Sequence, residues 1–542
     1  MPKAYASIDV REWADATYEE LVERFEWDVP ERYNVATEIC TAHRGDGTAL
    51  LFDRSDGETV ERTFAQLDEQ SSRLASWLAD RGVGFGDRIG IALSQAPETP
   101  VAHFAAYKLG AVAVPISVLM GQESIDYRLE KADVSCIVAT DEMATRIEGV
   151  ETLVAVGDAP GAPSFDDALS AGDPAFDPAT TRADDPSLIT FTSGTSGEPK
   201  GVVYGHRSLA SALPAFELMC EFPGDDAVFF TPADWAWVAG TLDTAFPAWW
   251  GGRTVVGYES EGFDPERVFS VMEAYGVTHA FLTPTMLRML RKSYERPNDA
   301  FDLSLEVAYT GGEPTGDTLF EWVDEGFSDV SLNEHYGQSE ADLLTTNSGC
   351  VIGTKPGSIG RPVPGHDVEI LDENGDPLPP GEIGTIALRT PDPAVMLEYW
   401  NAPERTANAF RGDWLDTGDT GYRDEDGFFW FAGRGDDLII SSGYRISPTE
   451  VEQALAAHEG VDEMVVVGEP DDVRGEIVSA IVVPTDDSPD PEKLREELRE
   501  AVRNQLSKYK YPRNIRFVES LPRTTTGKID RREVQTEFAE DS

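Results

Sequence analysis

At 542 residues the chain is too long for one hydrophobic core, so two or more domains are expected. Its 41% hydrophobic content, with 25 Phe and 11 Trp, excludes a disordered chain. The 99 acidic residues against 44 basic ones give a net charge of −55, which argues against nucleic acid or an anionic membrane as partner and for work in concentrated salt, where screening shortens to roughly 3 Å at about 1 M.

The N-terminal stretch has no apolar signal core. Cys40, Cys136, Cys220 and Cys350 lie far apart, which predicts a reducing, cytoplasmic setting rather than a disulfide framework. Seven His without Cys/His clustering argue against structural zinc. A strand is expected at 49–52. From Thr63, Phe64, Leu67, Leu74 and Leu78 recur at helical spacing until Gly82. Strands at 88–93, 111–114 and 135–139 alternate with a helix at 97–109, the pattern of a parallel sheet covered by helices. The most apolar window, 103–120, contains Lys108, Gly110 and Pro115 and reads as helix, turn and strand, not as a membrane span. Residues 157–186, rich in Asp, Ala, Pro and Gly, read as a surface connection.

A buried strand at 188–191 leads into Thr192-Ser193-Gly194-Thr195-Ser196-Gly197-Glu198-Pro199-Lys200-Gly201. Its glycines let the backbone approach a ligand, its N–H groups and hydroxyls can form an anion-binding nest, and Lys200 adds positive charge. The Gly-x4-Gly-Lys-Ser/Thr order of a Walker loop is absent. Strands are next expected at 227–230, 254–256, 278–281 and 305–308, with helices at 265–275 and 284–294. Gly311-Gly312-Glu313-Pro314 follows the last of these strands, and a flat ligand can approach such glycines at the carboxyl end of an open α/β sheet. From 357 to 388, short strands with Gly, Pro and Asn-Gly turns predict a small antiparallel barrel or sheet. Residues 433–437 separate strand-like runs at 428–432 and 438–441. Beyond them, a capping box at Ser447-Pro448-Thr449-Glu450, strands at 465–468 and 477–483 and a charged helix at 490–506 predict a compact α+β domain.

Four further strings carry chemistry. In Asn333-Glu334-His335-Tyr336-Gly337-Gln338-Ser339-Glu340, a carboxylate after a strand can share Mg2+ with a phosphate. Ala341 takes the place of the second glycine that a nucleophile elbow needs. Asp419 in Asp416-Thr417-Gly418-Asp419 can accept both hydroxyls of a ribose, and Arg434 follows fifteen residues later. In Pro522-Arg523-Thr524-Thr525-Thr526-Gly527-Lys528, an ammonium aimed at developing negative charge is a preorganised electrostatic catalyst. Arg503, Lys508, Lys510, Arg513 and Arg516, beside Tyr509 and Tyr511, form a basic aromatic patch in an acidic chain, which suits a phosphorylated adenine compound such as coenzyme A. Each string alone has a plainer reading: a flexible loop, a solvated acid, an acidic turn, a basic turn, a charged face.

Together, over residues 53–532, they resemble the acyl-adenylate-forming superfamily, which includes acyl-CoA synthetases, luciferases and peptide-synthetase adenylation domains. The 192–200 string resembles its phosphate loop. The 333–340 string resembles the Tyr-Gly-Gln-Thr-Glu motif of acyl-CoA synthetases, with Ser339 keeping the hydroxyl. The resemblance implies that Glu340 is the Mg2+ ligand and Ser339 a phosphate contact. It also implies that Glu334 and Tyr336, with Gly312, Glu313 and Pro314, frame the adenine, and that His335, Gly337 and Gln338 belong to the ATP/AMP site. Asp419 and Arg434 would bind ribose and phosphate, Asp436 would be the hinge, and Lys528 would contact the carboxylate and α-phosphate during adenylation. Gly443 and Arg445 would line the coenzyme A channel together with Lys508, Lys510 and Arg513.

The implied fold is α/β. A large N-terminal domain (1–433) would hold parallel or mixed sheets flanked by helices and a small β subdomain. A hinge (434–437) and a small mobile α+β domain (438–542) would follow. The implied reaction joins a carboxylic acid to coenzyme A, with ATP giving AMP and pyrophosphate through an acyl-adenylate, and needs no protein nucleophile. The closest resemblance is to short- and medium-chain synthetases of the acetyl-CoA synthetase branch. In acetyl-CoA synthetases a tryptophan stands at the position matching Gly337. Glycine here implies a deeper acyl pocket, bounded by Gly311, Trp237 and Val238, and a preference for medium-chain, branched or aryl acids. The rivals are an acetyl- or propionyl-CoA synthetase, another adenylate-forming ligase, and an acidic nucleotide-binding or chaperone-like protein. Assembly into a homo-oligomer is left open.

Overall fold

The computed structural model describes residues 16–41, 43, 45, 47–192, 198–260, 262–435, 437–441, 444–456, 458–471, 474–485, 488, 490–506, 510–523 and 529–539. The predicted alternation of strand and helix produces two large sheets. One has nine strands, in the order Arg361–Pro362, Asp342–Thr346, Ser331–Gln338, Val307–Gly311, His279–Phe281, Val228–Phe230, Thr254–Tyr258, Thr48–Asp53 and Thr59–Thr63. Its strands from Ser331–Gln338 to Thr48–Asp53 are parallel. The other has seven strands, in the order Glu398–Tyr399, Lys200–Gly205, Pro186–Thr192, Val112–Pro115, Arg88–Ala92, Cys136–Thr140 and Thr152–Val156. Its last five strands are parallel. Parallel strands are covered on both faces, and Val112–Pro115 and Val307–Gly311 are buried along their whole length. The main core lies between the sheets, where Leu50, Phe229, Val255 and Phe281 of one join Ile89, Val138, Leu188 and Tyr204 of the other.

The predicted helices are present. Phe64–Ala79 starts at Thr63, which forms a full capping box with Gln66, and it buries Leu67, Leu74 and Leu78. Glu98–Leu109 ends at Gly110, whose φ of 69° is left-handed, and the chain passes at once into a strand. No helix among the described residues is long and apolar enough to cross a membrane.

One expectation is corrected and one is extended. Residues 157–186 are not only a connection, because they contain the helix Phe165–Ala171, capped by Ser164 and buried through Phe165 and Ala168. A Cβ on the following Gly172 would lie 1.9 Å from the Arg73 carbonyl, so the glycine lets this segment dock on the Phe64–Ala79 helix. The 188–191 strand extends over Pro186–Thr192 and returns directly as Lys200–Gly205, with Thr192 opposite Lys200. The glycine-rich string therefore joins two neighbouring antiparallel strands.

The small antiparallel sheet is present and reaches beyond 388. It comprises Val368–Leu371, Gly384–Arg389, Trp414–Arg423 and Phe410–Arg411, with Phe429–Arg434 on Trp414–Arg423. The C-terminal part has its own sheet of Tyr444–Ile446, Ile439–Ser441, Gly475–Pro484, Val461–Asp471 and Asn514–Phe517. A separate core of Ile439, Ile446, Val451, Leu455, Leu494 and Leu498 supports it. Ser447 Oγ caps the helix Pro448–Ala456 by accepting the Glu450 N–H at 3.1 Å. The Glu450 carboxylate takes Lys510 Nζ at 2.6 Å instead of closing the box.

Candidate active site

Three groups of side chains gather at the carboxyl ends of the parallel strands. The first surrounds the turn after Val307–Gly311. Gly312 adopts φ +84°, and the turn is held from the helix Pro284–Ser293. From that helix, Thr285 Oγ1 and Arg288 Nη1 donate to the Glu313 carboxylate at 2.9 and 3.2 Å, and Arg288 Nη2 donates to the Pro314 carbonyl at 3.0 Å. Glu334, on the next strand, is buried and accepts the Thr315 N–H at 3.2 Å. Burial pushes its carboxyl up to about 8, and its Oε2 has no hydrogen-bond partner among the described residues.

The second group joins motifs far apart in sequence. Tyr336 Oη donates to Asp419 Oδ2 at 2.8 Å, and Arg434 Nη1 lies 3.2 Å from Asp419 Oδ1. Asp419 and Arg434 are register partners across an antiparallel pair, which explains their spacing. Gln338 Nε2 donates to the Thr417 carbonyl at 3.2 Å, and Asp419 N donates to Thr417 Oγ1 at 3.1 Å.

The third group places Glu340 and Lys200 on one tyrosine. Tyr399 Oη donates to Glu340 Oε1 at 2.7 Å, and Lys200 Nζ lies 5.0 Å from the centre of the Tyr399 ring. Pro199 is anchored by Tyr127 Oη on its carbonyl at 2.9 Å, and Glu198 beside it is exposed. Ser339 is hydrogen-bonded to the buried Tyr204. Among the described residues no ion pair reaches Lys200 or Glu340. A half-buried carboxylate without a cationic partner, beside a hydroxyl, is a hard oxygen donor set of the kind Mg2+ takes.

The residues expected to bound the acyl pocket have close neighbours. A Cβ on Gly337 would lie 1.9 Å from the Asp342 carbonyl, because a bulge between Tyr336 and Gly337 brings the neighbouring strand against it. The neighbouring strand therefore fills the space beside Gly337. A Cβ on Gly311 would lie 2.4 Å from His335 Nε2, so the imidazole fills that space. His335 is stacked on Phe281 at 5.8 Å, and burial brings its pKa down to about 4. Trp237 and Val238 join different clusters. Trp237 packs with the Ile189 and Phe191 cluster, and Val238 with the core between the sheets.

Ser193, Gly194, Thr195, Ser196, Gly197, Asp436, Gly443, Lys508 and Lys528 lie outside the described residues. Arg445 lies on Tyr444–Ile446 opposite Ile440, and its side chain is also outside them. Of the basic patch, Lys510 is paired with Glu450 and Arg516 with Glu469, while Arg513 and Arg503 flank the Tyr511 ring. Sequence reasoning missed Thr285, Arg288, Thr315 and Tyr399. Thr285 and Arg288 read as ordinary helix residues. Tyr399, in Glu398-Tyr399-Trp400, reads as a core aromatic.

Known proteins resemble the chain over both of its parts. The family model "AMP-binding enzyme" matches residues 37–400, and "AMP-binding enzyme C-terminal domain" matches 450–528. Human acyl-coenzyme A synthetase ACSM4 is 35% identical, covering 94% of this chain and 92% of its own. An uncharacterized acyl-CoA ligase of Bacillus subtilis, YtcI, is 34% identical, covering 95% and 98%. The crystal structure of the anthranilate CoA ligase AuaEII with anthranoyl-AMP superposes with a TM-score of 0.86 at 26% identity, covering 95% of this chain and 99% of that one. The match over both parts of the chain and the convergence of its motifs lead to one assignment: the chain belongs to the AMP-binding enzyme family and is an AMP-forming ligase.

Proposed function

We propose that the protein is an acyl-CoA synthetase that converts a carboxylic acid, ATP and coenzyme A into acyl-CoA, AMP and pyrophosphate. The observation that carries this reading is the meeting of Tyr336, Asp419 and Arg434 in one hydrogen-bonded set beside the Glu340 and Lys200 group. In this reading the adenine lies against the Gly312-Glu313-Pro314 turn and Glu334, and Asp419 accepts the ribose hydroxyls. Lys200 and Ser339, with residues 193–197, meet the phosphates. Glu340 would hold Mg2+, whose charge offsets that of the phosphates. Acid-dependent release of pyrophosphate from ATP, followed by coenzyme A-dependent release of AMP, is the test. ATP binding without acid-dependent pyrophosphate would favour a nucleotide-binding protein instead.

Lys528 is the proposed adenylation residue and Asp436 the proposed hinge between domains at 1–433 and 438–542. Lys528→Ala should slow adenylation roughly 10²-fold or more and spare thioester formation from supplied acyl-adenylate. Asp436→Pro should do the reverse, because proline fixes φ near about −65°. Equal loss of both half-reactions in either variant removes that role. Gly443, Arg445, Lys508, Lys510 and Arg513 are proposed for coenzyme A, and the Glu450 pair on Lys510 would have to share its ammonium with a phosphate.

For the acid, Gly337 gives no support to a deep pocket. Support for aryl acids comes from the anthranilate and benzoate CoA ligases among the structural neighbours, the latter at a TM-score of 0.81. Medium-chain and branched acids belong in the same panel. A kcat/KM highest on acetate or propionate would reverse this choice. The acidic composition supports assaying in concentrated salt, and the four free cysteines, three of them buried, support a reducing cytoplasmic setting.

A further inference from the structure

We infer that Tyr399 is a positioning residue that holds Lys200 and Glu340 on opposite parts of one side chain, so that these two charges meet the metal–ATP complex instead of each other. This rests on the adenylate-forming reading above.

The placement follows from strand register. Glu398–Tyr399 pairs antiparallel with Lys200–Gly205, and Tyr399 stands opposite Val202. Side chains alternate along a strand, so Lys200, two residues from Val202, shares the face of Tyr399 and reaches its ring diagonally. The ammonium accordingly lies 5.0 Å from the ring centre. The hydroxyl at the far end of that ring donates to Glu340 Oε1 at 2.7 Å. The same segment holds the main chain of Glu340, whose carbonyl accepts Met396 N–H at 2.9 Å. It is also fastened along the Lys200 strand, because Leu397 N donates to the Val203 carbonyl at 2.8 Å and Trp400 N to the Gly201 carbonyl at 2.7 Å. Tyr399 is buried, so its contacts do not compete freely with water.

The chemistry of the spacer fits the task. A lysine and a glutamate side by side in a half-buried site attract each other, and a direct pair would occupy both. A phenol gives the carboxylate one hydrogen bond without cancelling its charge, and gives the ammonium a π face without neutralising it. Each partner is oriented yet keeps its full charge for an incoming ligand of opposite sign. Tyr399 itself touches no reacting atom in this scheme.

The test uses full-length protein, Mn2+ as a paramagnetic stand-in for Mg2+, and two variants. Tyr399→Phe keeps the ring and removes the hydroxyl, and Tyr399→Leu removes both. Binding of Mn2+ in the presence of ATP, followed by electron paramagnetic resonance, should weaken about tenfold in Tyr399→Phe, the scale of one lost hydrogen bond to a charge, and further in Tyr399→Leu. The Michaelis constant for ATP should rise in step while that for coenzyme A stays within about twofold. Mn2+ affinity unchanged in Tyr399→Phe overturns the proposal. So does a parallel rise of both Michaelis constants, which would mark Tyr399 as packing only. If Tyr399→Leu does not fold, Tyr399→Phe decides alone. The readout is metal binding, so a wild-type protein that binds Mn2+ and ATP but activates no acid would defeat the proposed reaction and leave this test intact.

Discussion

Glu334 is a carboxyl group with little room for a charge. It is buried, receives one main-chain N–H, and is pushed up to about 8, so near neutral pH it is mostly the uncharged acid. An uncharged acid donates as well as accepts, which suits a base edge that offers both kinds of atom. Glu334→Gln imitates that state. The variant should bind ATP nearly as well as wild type at pH 7 and should lack the weakening expected of wild type as pH rises through about 8. Titration of the ATP dissociation constant from pH 6 to 9 checks this, and parallel pH curves for the two proteins would contradict it. Gly337 carries the opposite kind of constraint. A single Cβ there meets the Asp342 carbonyl at 1.9 Å, so Gly337→Ala should lower the melting temperature and reduce activity on all acids alike. A shifted acid preference at unchanged melting temperature would revive the pocket that the sequence suggested.

At the scale of elements, the strongly periodic stretches were legible. Leu67, Leu74 and Leu78 mark one face of Phe64–Ala79, and the charged pattern of Pro491–Gln505 with its Asp490 cap was equally clear. Some elements buried all round went unread. The helix Ser208–Met219 is buried along its length and contains Pro214, and Asp342–Thr346 follows a motif that drew the reading toward chemistry. The site motifs could be read singly, but not their partners. Tyr399 meets Glu340 only because a two-residue strand pairs with Lys200–Gly205, a long-range register that no local pattern encodes. Lys108 shows the same limit. At the end of a helix it looks like a surface charge, yet it is fully buried. Its Nζ donates to Asp68 Oδ1 and the Asp68 carbonyl at 2.7 Å and to Ser72 Oγ at 2.8 Å, tying Glu98–Leu109 to Phe64–Ala79. Removing one partner leaves the others without it, and Lys108→Ala should cost about 3–5 kcal/mol of stability by denaturant titration. A loss below about 1 kcal/mol would mean that water replaces the ammonium.

For the molecule as a whole, buried titratable groups set opposing slopes of stability against pH. Burial lowers His103 and His206 to about 3, and His279 and His335 to about 4. The unfolded chain binds these protons below about pH 6.5 while the native state does not, so this contribution is full above about 6.5 and is lost as pH falls toward 4. Glu334, at about 8, and Asp243 and Asp342, which neighbour each other, are raised, with burial the largest cause for each. The native state keeps protons there that the unfolded chain gives up above about pH 4, so this contribution fades as pH rises through about 8. Stability should therefore peak near about pH 6 and decline on both sides, measured by urea unfolding at fixed salt from pH 4 to 9. A steady rise from pH 6 to 9 would contradict the assigned directions.

The register that sets Asp419 opposite Arg434 also acts as a reading frame for the proposed nucleotide site. The turn joining their strands is closed on Asp424, whose carbonyl lies within reach of the Gly427 N–H at 3.1 Å and whose Oδ1 accepts the Phe428 N–H at 2.9 Å. Side chains change face at every residue, so one residue added inside Phe429–Arg434 would turn Arg434 away from Asp419 and Tyr336, whereas residues added at the turn would leave the count intact. A glycine inserted after Phe431 should abolish ATP binding by calorimetry, and two glycines inserted after Glu425 should leave it within about threefold. Length changes in this hairpin are thus permitted at its tip and forbidden along its arms, as frameshifts are in a gene.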